Sequence, residues 1–262
     1  MPLIPGALAV VLLQQAGLFF VQRDTGLHET GLFSIGYQIG LVMGLATGAF
    51  SSAWMPFFQS YVSRQNEAAP VFERVAMVYL AALGTITLAF FGLSRLAVEL
   101  LTDPQFHDAW IFVGTFALGQ FYLGFWGILL PGLYFARRTG LISAIHIVSA
   151  AAALIATPLL LKALGPIGAA IAQAVGFLLF IALQAAVNFR LKLEVSYMSG
   201  WSVACLAATA ILGASILKII AENTMIVGAL WSALVLSAYA LVTGFVCYRA
   251  WKTAGLSSPT LV

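Results

Sequence analysis

His146 is the ionisable side chain set most clearly inside a long apolar run, LISAIHIVSAAAALIATPLLL. An imidazole there can carry a proton near neutral pH or contact a polar substrate. A neutral ring hydrogen-bonded between helices is the structural alternative. Gln14, Gln15, Gln38, Gln120, Gln173 and Gln184 also fall at or near the interiors of apolar runs. Such amides bond between helices by default or line a polar cavity. Gln15 and Gln38 lie on the first two runs and Gln120 on the fourth, so a shared cavity is one reading. Arg137 and Arg138 follow LYFA at the end of a run. The planar donor fork of arginine suits a lipid phosphate or pyrophosphate, although a plain excess of cytoplasmic positive charge gives the same pair. Asp103, His107 and Asp108 form the only acid-histidine cluster near one membrane face. There is no Gly-rich phosphate loop, HExxH, CxxC or GxSxG. The expectation is therefore a non-enzyme with no metal site and no cofactor.

The elements that position these groups must be membrane helices. Of the 262 residues, 62% are hydrophobic and 8% charged, against about a quarter charged in a soluble domain. Mean hydropathy is +1.01. The runs are far longer than the alternating ten-residue segments of a barrel, so the fold class is an all-α polytopic membrane protein. Cys205 and Cys247 fall inside apolar runs and read as small packing residues. The net charge of +3 comes from basic residues scattered among short loops, which does not suggest a nucleic-acid partner.

Stretches of about 20 apolar residues predict eight spans, near 5–22, 31–61, 73–94, 107–135, 140–161, 166–189, 198–218 and 224–249. Asp103 before Pro104 suits an N-cap followed by a first-turn proline. Arg23 beside Asp24 reads as an ion pair or interfacial anchor. Four alternate loops carry basic pairs (Arg64 and Arg74, Arg137 and Arg138, Arg190 and Lys192, Arg249 and Lys252). The others carry Arg23, Arg95, Lys162 and Lys218 singly. This alternation predicts that the paired loops and both termini are cytoplasmic.

Within the second span, Gly36, Gly40, Gly44 and Gly48 recur every fourth residue. On a helix they form one slowly drifting stripe, along which another backbone can approach closely. Pro56 lacks an N–H and is expected to kink or end that helix. A long helix with a smooth face and a proline near one end has the makings of a moving part.

Several stretches together resemble a family. PLIPG followed by GLFSIGYQIGLVMGLATGAFSSAWMPFF looks like the start of the second lobe of the polysaccharide-transport proteins. These are oligosaccharide flippases of the multidrug/oligosaccharidyl-lipid/polysaccharide exporter superfamily. LLTDPQFHDAW resembles that family's outer loop and next helix start, and GLYFARRTGLISAI its cytoplasmic turn. LGPIGAAIAQAVGFLLF resembles its glycine-alanine turn and following helix. The matches run in order over residues 2 to 200. The resemblance implies two six-helix lobes around a cavity that opens alternately to either side, moving a polyprenyl-pyrophosphate-linked oligosaccharide outward across the bacterial inner membrane. Residues 1–195 would then be the second lobe and 196–262 two additional helices with a short cytoplasmic tail. The other lobe would lie in the same chain, a separate chain or a second copy. The family's Asp-Arg pair at the end of the first helix of this lobe is replaced here by Gly17 and Leu18.

The expected function is flipping of a lipid-linked oligosaccharide for cell-surface polysaccharide biosynthesis. Gln15, Gln38, Gln120 and His146 are the cavity candidates, and Arg137 and Arg138 stand at the side where phosphate arrives. A drug exporter of the same superfamily would want a buried carboxylate, which the predicted spans lack. A non-transporting scaffold of a polysaccharide assembly complex would depend on the glycine stripe rather than the glutamines. A membrane glycosyltransferase would depend on Asp103 or Asp108.

Overall fold

A computed structural model describes residues 4–193, 198–223 and 225–255, all helix and short turns. The boundary expected between residues 195 and 196, the start of the last predicted span at 224, and both termini lie outside them. The helices are α1 (Ile4–Thr25), α2 (Leu27–Leu41), α3 (Met43–Gln59), α4 (Gln65–Gly92), α5 (Ser94–Leu101), α6 (Trp110–Phe135), α7 (Thr139–Leu164), α8 (Pro166–Arg190), α9 (Gly200–Glu222) and α10 (Met225–Gly255). A 3₁₀ turn, Pro104–Ala109, leads into α6. Taking α2 with α3, and the 3₁₀ turn with α6, gives eight helices long and apolar enough to cross a membrane. The chain has the fold of an all-α polytopic membrane protein.

The centre of the bundle is α6. It reads apolar, aromatic or glycine on every side, and a helix of that kind must be surrounded by protein. Its membrane window is 83% buried, against 28–56% for the other spans. Around it stand α2, α3, α4, α7, α8 and α9. The outer helices turn Leu8, Phe19, Ile155, Leu159, Ile211 and Leu241 outward, as lipid-facing helices do. α10 packs on α4 and α9, away from α1 and α2.

Two helix ends are set by local chemistry. Gly26, at φ +91°, makes the tight α1–α2 turn. Gly165, at φ +71°, ends α7, and Pro166 starts α8 with a φ already suited to a helix. Asp103 occupies the N-cap position ahead of Pro104, although its side chain makes no capping bond. Arg23 and Asp24 lie 3.7 Å apart at the end of α1.

Three details differ from the expected elements. The second span is one helical run from 27 to 59, as expected, with a single irregular turn at Val42, whose N–H reaches back to the Ile39 carbonyl while its backbone stays helical. Pro56 neither ends nor breaks its helix, which runs on to Gln59. The proline lies within the last turn of α3, three residues before its end, where few backbone bonds depend on it. The stretch expected as loop after the third span also contains the amphipathic α5, closed by an Arg95–Glu99 ion pair of 2.9 Å.

Pro131 shows how α6 accommodates a missing donor. Its nitrogen cannot bond the Gly127 carbonyl four residues back. Trp54 Nε1–H of α3 donates to that carbonyl instead, at 3.0 Å. Trp54→Phe should destabilise the protein by about 1–3 kcal/mol, the usual cost of a buried carbonyl left without a donor. Adding Pro131→Ala supplies the N–H and should recover most of the loss. A double-mutant cycle of unfolding in mild detergent measures the coupling, and strictly additive effects would break the assignment.

Candidate functional site

The buried residues of α1 (Gly6, Ala9, Leu13, Ala16, Gly17 and Val21) share one face. At 100° per residue, Gln15 falls on the opposite side, and it is exposed. On α2 the buried face is Leu32, Phe33, Gly36 and Gly40. Gln38 again points directly away, exposed. Leu45, Gly48 and Ser52 of α3 continue that outward side. Gln15 lies ten residues before the end of α1 and Gln38 eleven after the start of α2, so both sit roughly 15 Å from their common turn. The two amides therefore occupy the same depth on neighbouring helices. α1 packs on α2, α7 and α8, and α3 on α6, so the two outward faces diverge below the α1–α2 turn.

Gln120 and His146 lie elsewhere. Gln120 is 4% exposed in the core of α6. A Cβ at Gly44 would lie 3.5 Å from its Oε1, while its Nε2 is buried without a partner. The default interhelical bond expected of a buried glutamine is instead made by Gln184, whose Nε2 donates to the Leu129 carbonyl and to Asn188 Oδ1. His146 is 7% exposed behind α1, stacked on Phe180 and meeting Trp126 edge-on. The structure thus leaves Gln15 and Gln38 exposed, each on the outward side of its own helix, and buries Gln120 and His146 inside the bundle. The surroundings of His146 come from α1, α6 and α8, a long-range convergence with no local sequence signal.

Arg137 and Arg138 are exposed at the α6–α7 turn. Arg137 takes φ +53°, its N–H bonds the Tyr134 carbonyl, and Arg138 N–H reaches back to Leu133. Lys192 ends α8 with the same φ and the same bonding pattern. These turns share one end of the bundle with the start of α4. There Gln65, Asn66, Gly132, Phe135, Ala136 and Lys192 line a polar cavity of about 290 Å³. The arginines do not line it. Asp103, His107 and Asp108 sit at the opposite end, on the 3₁₀ turn packed against α2.

The glycine stripe serves two purposes. A Cβ at Gly36 would meet the Ala109 carbonyl at 2.8 Å, and one at Gly40 the Val113 carbonyl at 2.7 Å. Gly40 admits the α6 backbone directly, and Gly36 the backbone at the end of the 3₁₀ turn that leads into it. Gly44 borders Gln120, and beside Gly48 there is open space within 4 Å. The stripe is therefore a close packing seam at Gly36 and Gly40, an ordinary contact at Gly44 and an open surface at Gly48.

No protein-family model matches the chain, and no curated protein shows significant similarity to it.

Gly40→Ala should lower stability by about 1–3 kcal/mol, because the new methyl overpacks a backbone contact that cannot yield cheaply. Gly48→Ala should be neutral or slightly stabilising, since alanine is the better helix former. Unfolding midpoints of the two variants in the same detergent check this, and equal losses would refute the division of the stripe.

Proposed function

We propose that this chain is one lobe of an alternating-access transporter, an oligosaccharide flippase carrying a polyprenyl-pyrophosphate-linked oligosaccharide outward. The observation that carries the reading is the pair Gln15 and Gln38. They are placed at equal depth on adjoining helices, each opposite its own packing face. Both amides are exposed on the surface of the bundle. An amide facing hydrocarbon without a partner costs several kcal/mol, so this face belongs against polar material. A hydrated cavity between two lobes supplies it, and sugar hydroxyls can pair with the donor and acceptor of each amide.

In the cycle, the sugar and pyrophosphate occupy the polar space over α1, α2 and α3 while the lipid tail stays in the bilayer. Arg137 and Arg138 stand at the phosphate side and attract the charged headgroup. A second lobe, from the same chain, another chain or a second copy, closes the cavity, and rocking about the lobe interface exposes it to either side. The activity is transport without bond chemistry. The paired basic loops put both termini in the cytoplasm of a bacterial cell.

Gln38→Leu should reduce transport of the lipid-linked oligosaccharide at least about tenfold, the effect of losing one good polar contact. The amount of protein in the membrane should not change. Flipping is read in proteoliposomes with a labelled lipid-linked oligosaccharide, and Leu45→Ala on the same face serves as control. Full transport by Gln38→Leu together with Gln15→Leu would overturn the reading in favour of a scaffold.

A further inference from the structure

His146 is seven residues into α7, roughly 10 Å along the helix from the end that bears the arginines. Its ring stacks on Phe180 of α8, centroids 4.7 Å apart, and meets Trp126 of α6 edge-on at 4.6 Å. Gly6 of α1 lies against Nδ1, and its backbone accepts a hydrogen bond from the ring. Nε2 then carries a lone pair, and it is buried without a partner. The indole Nε1–H of Trp126 is likewise buried and unpartnered. The α1–α7 seam here is very close, since a Cβ at Gly6 would lie 2.8 Å from Ser143 Oγ and 2.9 Å from Ser143 Cα.

No charged side chain among the described residues faces the ring. On α1 the charges are Arg23 and Asp24, at the far end. Lys162 is at the far end of α7, and Arg138 precedes its first turn, about 12 Å below His146. Arg190 is ten residues beyond Phe180 on α8, and α6 carries none within its span. Hydroxyls and amides on the same helices, such as Ser149 and Gln173, do not titrate.

We propose that His146 is a proton-binding site whose occupancy sets how closely the first turns of α1 seat on α7. The step is simple: a proton from water adds to the Nε2 lone pair, and the neutral ring becomes an imidazolium while Nδ1–H stays on Gly6. Phe180, stacked on the ring, attracts the cation through its face. The new Nε2–H, however, has no acceptor in the sealed packing, and a buried unpaired charge is far costlier than a buried neutral ring. Parting the glycine seam lets water reach it. The neutral ring therefore favours the seated α1, and the charged ring favours a parted one. Because Gln15 stands further along the same helix, the seam sets the position of one cavity amide. This use rests on the transport reading; the proton site itself does not.

The test uses the intact protein in nanodiscs. Histidine-selective ¹⁵N labelling reports the three histidines of the sequence, and His146→Gln identifies the signal of interest. Spin labels at the exposed Leu8 and Leu141, with Cys205 and Cys247 replaced by alanine, report the α1–α7 distance. On acidification the wild-type ring should titrate and a longer-distance population should appear. The ratio of the two populations should change about tenfold per pH unit, the slope of a single proton. His146→Gln and His146→Phe should hold one population at every pH. His146→Phe keeps an aromatic ring in place, so a correctly folded variant that still switches overturns the proposal. So does a wild-type ring that does not titrate. Loss of transport reading with the switch intact would sink the flippase and leave the proton site standing.

Discussion

A carbonyl in hydrocarbon has no water to turn to, and that constraint organises this bundle. Where Pro131 withdraws its N–H, Trp54 of α3 crosses to the vacant Gly127 oxygen. The same kind of bond recurs without a proline to demand it. Tyr79 of α4 donates to Phe121 of α6 at 2.8 Å, Tyr122 of α6 to Leu206 of α9, and Tyr239 of α10 to Leu80 of α4. Asn188 of α8 donates to Leu129 of α6 at 3.0 Å. Each joins one side chain to another helix's backbone, which keeps both groups satisfied without placing a charge in the membrane. The bonds fix which helices neighbour which more firmly than apolar contact can, since lipid tails are as apolar as leucine.

The same bonds need space, and glycine provides it. Tyr79 fits where Gly124 has no side chain, and Tyr239 fits over Gly84. Phe91 of α4 lies against both Gly114 of α6 and Gly213 of α9, so one ring keys three helices together. Gly36 and Gly40 do for α2 and the backbone of the 3₁₀ turn and α6 what these do for side chains. The α4–α6 contact is thus built from knobs and sockets, while below Val42 α3 presents an exposed flank with Gly48 open.

Much of this was legible in the sequence, because its strongest signal is hydrophobic length. Eight spans, their order and the two glycine turns at residues 26 and 165 follow from apolar runs and local punctuation. The irregular turn at Val42 was not legible, because LVMG contains no helix breaker. Pro56 carried the louder signal, yet an exposed proline near a helix end asks little of the structure. α5 was missed because eight residues, SRLAVELL, are too short for a span and carry charges that suit a loop. For the site, residue type pointed to the glutamines and His146, but which of them face inward depends on helix rotation. The weak apolar asymmetry of lipid-facing helices leaves that rotation unreadable when both sides of a helix are apolar.

Rotation also explains why Gln15 and Gln38 differ from the other polar groups on the outward face. Ser51 and Ser52 are exposed too, but their hydroxyls bond back to the Thr47 and Gly48 carbonyls of their own helix, at 2.8 and 2.9 Å. A serine can therefore face lipid at little cost. A glutamine amide has two donors and an acceptor on a longer stem, and a helix offers it no equivalent local refuge. At mid-depth it is also too far from either interface to reach water. Two such residues at one depth on neighbouring helices call for polar company from outside this bundle. That requirement, more than the apolar surface around them, is the physical ground for reading the α1–α2–α3 side as one wall of a wet cavity.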